Sequence, residues 1–87
     1  MPLEFPNESR SYDATRRAVR FWGYDSAMEW SFFVSSDALK RIEPTMIEGE
    51  AGMLAVFDMH RGQILRAAAK VYRQGRKGSY ELGVADM

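Results

Sequence analysis

The chain has 87 residues, 46% of them hydrophobic and 13% aromatic, which is too apolar for a disordered segment and too short for two independent cores. Twelve Lys and Arg balance twelve Asp and Glu, which argues against binding nucleic acid through bulk charge and leaves only a local patch for that purpose. With no cysteine and one histidine, the composition excludes disulfides, thiolate chemistry and any multi-histidine metal cluster within one chain.

Residues 1–17 are polar and without steady periodicity, and Pro2 and Pro6 interrupt any helix or ladder. They read as a loosely ordered N-terminal arm that Phe5 and Tyr12 could pin to the body. Residues 18–87 read as a single α+β domain. The opening Met1-Pro2-Leu3-Glu4 lacks the basic and apolar regions of a signal peptide, and no apolar run approaches membrane-spanning length. The expectation is a cytoplasmic chain with no membrane contact.

From Ala18 the pattern alternates: Val19, Phe21 and Gly23 against Arg20, Trp22 and Tyr24. Asp25-Ser26-Ala27 supplies turn chemistry. Met28, Trp30, Phe32 and Val34 then alternate with Glu29, Ser31, Phe33 and Ser35. Two such runs around a short polar turn predict a β-hairpin over 18–25 and 28–35.

Ser35-Ser36 closes the second strand and offers an N-cap hydroxyl to a helix over Asp37–Ile42, with Asp37 and Lys40-Arg41 matched to the helix dipole. Pro44 stops that helix. Thr45 stands three residues before Glu48, the spacing of a capping box, and the next helix carries Met53, Leu54 and Phe57 inward. Gly49 and Gly52 each weaken its start by about 1 kcal/mol relative to alanine. Over Gln63–Arg73 the signal is strongest: Ile64, Leu65, Ala68, Val71 and Tyr72 share one face, and Arg66, Lys70, Arg73 and Lys77 the other. Gly75 and Gly78 end the helix, and Tyr80, Leu82 and Val84 mark a last strand over 79–84.

The order is strand, strand, helices, strand. It predicts an α+β fold: a three-stranded antiparallel sheet with helices packed on one face. The last strand is expected beside the first and antiparallel to it. The alternative sets it beside the second, parallel, after a crossover. Phe21, Trp30, Phe32, Phe57, Ile64, Ala68, Val71 and Leu82 form the expected core.

Three groups of residues are candidates for function. Arg20, Trp22, Tyr24 and Phe33 lie on the sheet face away from the helices, where three large aromatics exceed what a solvated face needs. Arg66, Lys70, Arg73 and Lys77 form a basic helix face, suited to a polyanion or equally to a solvated surface whose stems shade the core. His60 and Arg61 fall at the edge of, and within, an apolar helical face. There they either hydrogen-bond backbone at a bend marked by Gly62 or line a pocket for an anionic ligand. Arg61 is expected to be at least half buried and paired, with Glu43 a freer partner than Asp58. Its alanine variant should then lose about 3–5 kcal/mol, the cost of a buried charge left unpaired. No nucleophile with a base, metal-ligand set or cofactor motif can be assembled, so no catalytic residue, metal or cofactor is expected.

The runs Val19-Arg20-Phe21-Trp22-Gly23, Val34-Ser35-Ser36-Asp37-Ala38-Leu39 and Phe57-Asp58-Met59-His60-Arg61-Gly62-Gln63-Ile64 resemble a small bacterial family catalogued as domain of unknown function 1488. The resemblance covers the chain from Ser11 onward. It implies a compact α+β fold in a proteobacterial cytosol and no assigned activity. The positions that match its helical pattern are Phe57, His60, Arg61 and Ile64, whereas Trp22 and Trp30 lie outside it. The functional expectation is therefore a small non-enzymatic binding or adaptor domain that uses the aromatic sheet face on a protein partner or a second copy. Polyanion or nucleic-acid binding through the basic helix is the alternative.

Overall fold

The computed structural model describes residues 3–6, 8–25, 28–74 and 79–87. Its elements are β1 (Arg10–Asp13), β2 (Ala18–Asp25), β3 (Met28–Ser35), α1 (Ser36–Ile42), α2 (Glu50–Met59), α3 (Arg61–Gln74) and β4 (Ser79–Leu82), followed by a 3-10 turn over Val84–Asp86. The α+β class stands. The sheet, however, has four strands in the order β1-β2-β3-β4, and it is mixed.

β2 and β3 form the expected antiparallel hairpin, with Phe21 opposite Phe32 and Val19 opposite Val34. The fourth strand comes from the segment read as a loose arm. β1 pairs antiparallel with β2, Tyr12 against Val19, and Glu4 bridges Tyr24 further along the same edge. Its turn is closed by the Asp13 side chain, which accepts from the Arg16 backbone N–H at 3.0 Å, and by Arg17 at a φ of 53°. The Asp13 hydrogen bond holds the turn while Arg17, rather than a glycine, takes its left-handed position.

Because β1 holds the outer edge of β2, β4 cannot lie there. It runs parallel to β3 instead, Phe32 opposite Tyr80 and Val34 opposite Leu82, after a crossover through all three helices. This corrects the three-stranded antiparallel expectation and selects the alternative position for the last strand.

α1 starts where the sequence places it, with the Ser35 hydroxyl accepting from Ala38 N–H. The capping box does not form. α2 begins after Gly49 with no side-chain cap, Thr45 donates to the Glu43 carboxylate, and Glu48 turns back to α1. The turn at Ser26-Ala27 and the stop at Gly75 and Gly78 lie outside the described residues.

The core lies between the helices and one sheet face. Phe21, Phe32, Phe57, Ile64, Ala68, Tyr80 and Leu82 are buried there, while Trp30 and Val71, expected in the core, are only partly buried against it. Phe5 joins from the N-terminal segment, its ring 6.1 Å from Phe21 and 5.7 Å from Phe32. Bare Gly23 permits this, since a Cβ there would stand 2.8 Å from the Phe5 ring.

Candidate functional site

Alternation along the sheet sends Arg20, Trp22 and Tyr24 of β2, Glu29, Ser31 and Phe33 of β3 and Glu81 of β4 to the face away from the core. Arg20, Glu29 and Glu81 are exposed, and Trp22, Tyr24 and Ser31 are half-buried. Phe33 departs from the expectation of an open aromatic face: it is only 5% exposed. The cause is the β1–β2 turn, which brings the Arg16 guanidinium to 4.3 Å from the centre of the Phe33 ring. Arg20 adds a second guanidinium at 5.6 Å and reaches the Trp22 ring at 5.1 Å. Cations over aromatic faces are held by the ring quadrupole, more firmly where water is partly excluded.

The polar members of this face are further fixed. Arg20 Nη2 donates to Ser31 Oγ at 3.0 Å, and the Tyr24 hydroxyl donates to Glu29 Oε2 at 2.6 Å. Arg16 lies 3.1 Å from Asp13 and 3.9 Å from Glu81. Beneath it opens a cleft of about 440 Å³ lined by Arg16, Ala18, Phe33, Ser35, Glu81 and Leu82. The pre-ordered aromatic and guanidinium groups are of the kind enriched at the centres of protein interfaces.

His60 and Arg61 sit where α2 ends and α3 begins, His60 as the last cap and Arg61 as the first helical residue. They turn to different partners. His60 Nε2 stands 3.4 Å from Glu43 Oε1 across the joint, an ion-pair distance rather than a formed hydrogen bond. Arg61, its side chain 22% exposed, donates to the Glu8 backbone carbonyl at 2.9 Å, lies 3.4 Å from Asp58 and covers the Phe57 ring at 4.8 Å. The expected preference for Glu43 over Asp58 as the Arg61 partner is therefore reversed. Asp58 also takes a bidentate contact from Arg10 of β1, at 2.9 and 2.7 Å. Nothing local in the chain marks Arg10 for this role, because its partner lies 48 residues away.

On α3, Arg66 and Lys70 are exposed and flank an open depression with Gln63, Ala67, Asp86 and Met87. Neither makes an ion pair among the described residues. Arg73 lies in the last turn of the helix, and Lys77 falls outside the described residues. Among the described residues, no three or more His, Asp or Glu converge as a metal site, and no helix is long and apolar enough to cross a membrane.

The family model described as "Protein of unknown function (DUF1488)" matches residues 3–83. The chain belongs to that family. The DUF1488 fold is also seen in the 1.60 Å crystal structure of a protein of unknown function from this family of Shewanella loihica PV-4. It superposes with a TM-score of 0.81 at 19% identity, over 92% of this chain and 90% of that one. At that identity the likeness shows the fold alone. No curated protein matches the sequence.

Two expected results follow for this DUF1488 chain. Removing Arg61 leaves Asp58 with Arg10, so no charge is orphaned. Arg61→Ala should therefore cost about 2 kcal/mol, the scale of a hydrogen bond to a charged group, rather than the larger loss expected from the sequence. Denaturant melts of the variant check this, and a loss above about 4 kcal/mol would show an uncompensated buried charge instead.

The second result concerns acid. Asp58 is held below the ordinary carboxylate range chiefly by its hydrogen bonds from Arg10, Glu48 by Ser36 first and Lys40 after it. Glu43 is lowered by the Thr45 hydroxyl and then His60, and Asp13 by the Arg16 backbone N–H. A carboxylate lowered in the folded state takes its proton first in the unfolded chain. Its contribution is thus complete above the unfolded value, near 4, and is lost as pH falls toward the folded one. Stability should hold from neutrality down to about pH 5 on account of these groups and decline below it. Asp58→Asn should decline less steeply, as thermal melts across that range will read.

Proposed function

We propose that this chain is a small non-enzymatic binding domain whose outer sheet face docks a protein partner. The observation that carries the reading is the pair of guanidiniums, Arg16 and Arg20, laid over Phe33 and Trp22 on the sheet face away from the core. Rigid rings with an arginine already stacked on them lose little entropy on binding. Charges on the face are mixed, with Arg16 and Arg20 against Asp13, Glu29 and Glu81, which suits a polar and aromatic protein surface better than a polyanion.

The test is capture from a lysate of the source cell by the immobilised full chain, with Arg20→Glu/Trp22→Ser as the variant and melting curves to show that it folds. A partner retained at high salt and lost with the variant supports the reading. A partner released by salt and lost instead with Arg66→Glu/Lys70→Glu assigns the chain to polyanion binding through α3, where a phosphate backbone would be displaced steeply by salt.

A further inference from the structure

We propose that the groove over Gly23 is a binding site for an extended segment of another protein, and that the chain's own Leu3-Glu4-Phe5 is its resident, displaceable occupant. Gly23 sits inside β2, where a glycine weakens the strand and offers no side chain to pack. What it supplies is space. A Cβ there would stand 2.8 Å from the Phe5 ring, 3.0 Å from the Phe32 ring and 3.2 Å from a Leu3 methyl. Leu3 and Phe5, two residues apart on an extended segment, thus point into one groove walled by Phe21 and Phe32, while Glu4 between them is exposed. The backbone is bound as a strand would be. Glu4 N–H donates to the Tyr24 carbonyl and Tyr24 N–H to the Glu4 carbonyl, both at 2.8 Å. Main-chain bonds along a sheet edge, with pockets for alternate side chains, are how sheets accept a strand from another protein.

The occupant is displaceable because it stands outside the ladder. β1 pairs with β2 from Arg10 opposite Phe21 to Asp13 opposite Ala18. Continued in that register, the chain would meet Tyr24 three residues later in the sequence than Glu4, where it does meet it. The excess is looped out between Glu4 and Arg10, so the Glu4 bridge can open while β1 stays in place. β1 is held on its own account, by Arg10 on Asp58 and by Arg61 on the Glu8 carbonyl just before it. A tethered segment acts at high effective concentration, so it fills the groove until a competitor of the same pattern binds better. That competitor is a protein strand with an aliphatic and an aromatic residue flanking one position, the pattern Leu3 and Phe5 show the groove to take. Gly23 faces away from the side that carries Trp22, so this site and the outer sheet face stand or fall separately.

Two measurements test the proposal. In the parent, the Glu4 and Tyr24 amide protons that form the bridge should exchange with solvent at least about tenfold faster than those of the β2–β3 ladder, as a locally opening segment does. In the full chain carrying Leu3→Ser/Phe5→Ser, which vacates the groove, a capped synthetic peptide with the sequence of residues 1–9 should bind saturably. It should bind there at least about tenfold more tightly than to the parent, whose groove is already filled. The peptide carrying the same two serines should not bind, and Gly23→Ala added to the vacated chain should abolish binding, since its methyl takes the place of the Phe5 ring. Should the vacated chain fail to fold, excess peptide added to the parent decides: it should break the magnetisation transfer between the chain's own Phe5 and Phe32 rings, and the serine peptide should not. Bridge amides protected as well as the β2–β3 ladder, a peptide that neither binds the vacated chain nor releases the arm of the parent, or binding that survives Gly23→Ala would overturn the proposal.

Discussion

Phe57→Ala should cost about 3–5 kcal/mol, the range for deleting a buried aromatic ring whose cavity cannot fully close. Phe57 has no exposed surface, and its ring centre lies 5.1 Å from that of Phe21 on β2. The Arg61 guanidinium covers it from the α3 side. Truncation would thus open a void at the point where sheet, α2 and α3 meet, and would strip Arg61 of the ring on which it rests. A domain of this size holds a total stability of only about 5–10 kcal/mol, so the variant should melt at a much lower denaturant midpoint or fail to fold at all. A midpoint within error of the parent would mean that Phe57 is not at the centre of the core.

Gly52→Ala should destabilise, although helix propensity alone favours alanine there by about 1 kcal/mol. A Cβ at position 52 would fall 1.8 Å from the Ile47 carbonyl oxygen and 2.8 Å from its carbon. Both atoms are backbone, so the clash cannot be relieved by turning a side chain. The loop before α2 would have to move, and with it buried Met46 and the Glu48 carboxylate, which accepts from Ser36 and lies 3.5 Å from Lys40. Overpacking of this kind costs about 1–3 kcal/mol, enough to reverse the gain from propensity. The sign is the test: a higher melting temperature for Gly52→Ala would show that the loop does not lie against the helix.

The two long strands, the serine-capped α1 and α3 were legible because each announces itself within a few residues, through alternation, a cap or a helical stripe. β1 was not legible. Its pairing with β2 depends on a turn built from Asp13 and a left-handed Arg17, and Pro6 upstream obscures the short alternation around Tyr12. Missing β1 also misplaced β4, since only the occupied edge of β2 rules out the antiparallel position. The same omission shaped the reading of the outer face. Arg20, Trp22 and Tyr24 follow directly from alternation, but the cover over Phe33 comes from Arg16, which the sequence assigns to the arm. The joint at His60 and Arg61 was visible as a conflict between apolar periodicity and charge. Glu43 and Asp58 were in reach as its carboxylates, but the Glu8 carbonyl on Arg61 and Arg10 on Asp58 were not, because both are remote in sequence.

Oxidative footprinting of the folded chain, alone and in the lysate of its source cell, tests the central claim about the outer sheet face most directly. Trp22 and Tyr24 are half-buried and oxidisable in the free chain, whereas buried Tyr80 serves as the internal reference. The account predicts that the lysate protects Trp22 and Tyr24 and that Arg20→Glu removes the protection. Unchanged oxidation of both residues in the lysate, or protection that persists in Arg20→Glu, would contradict it.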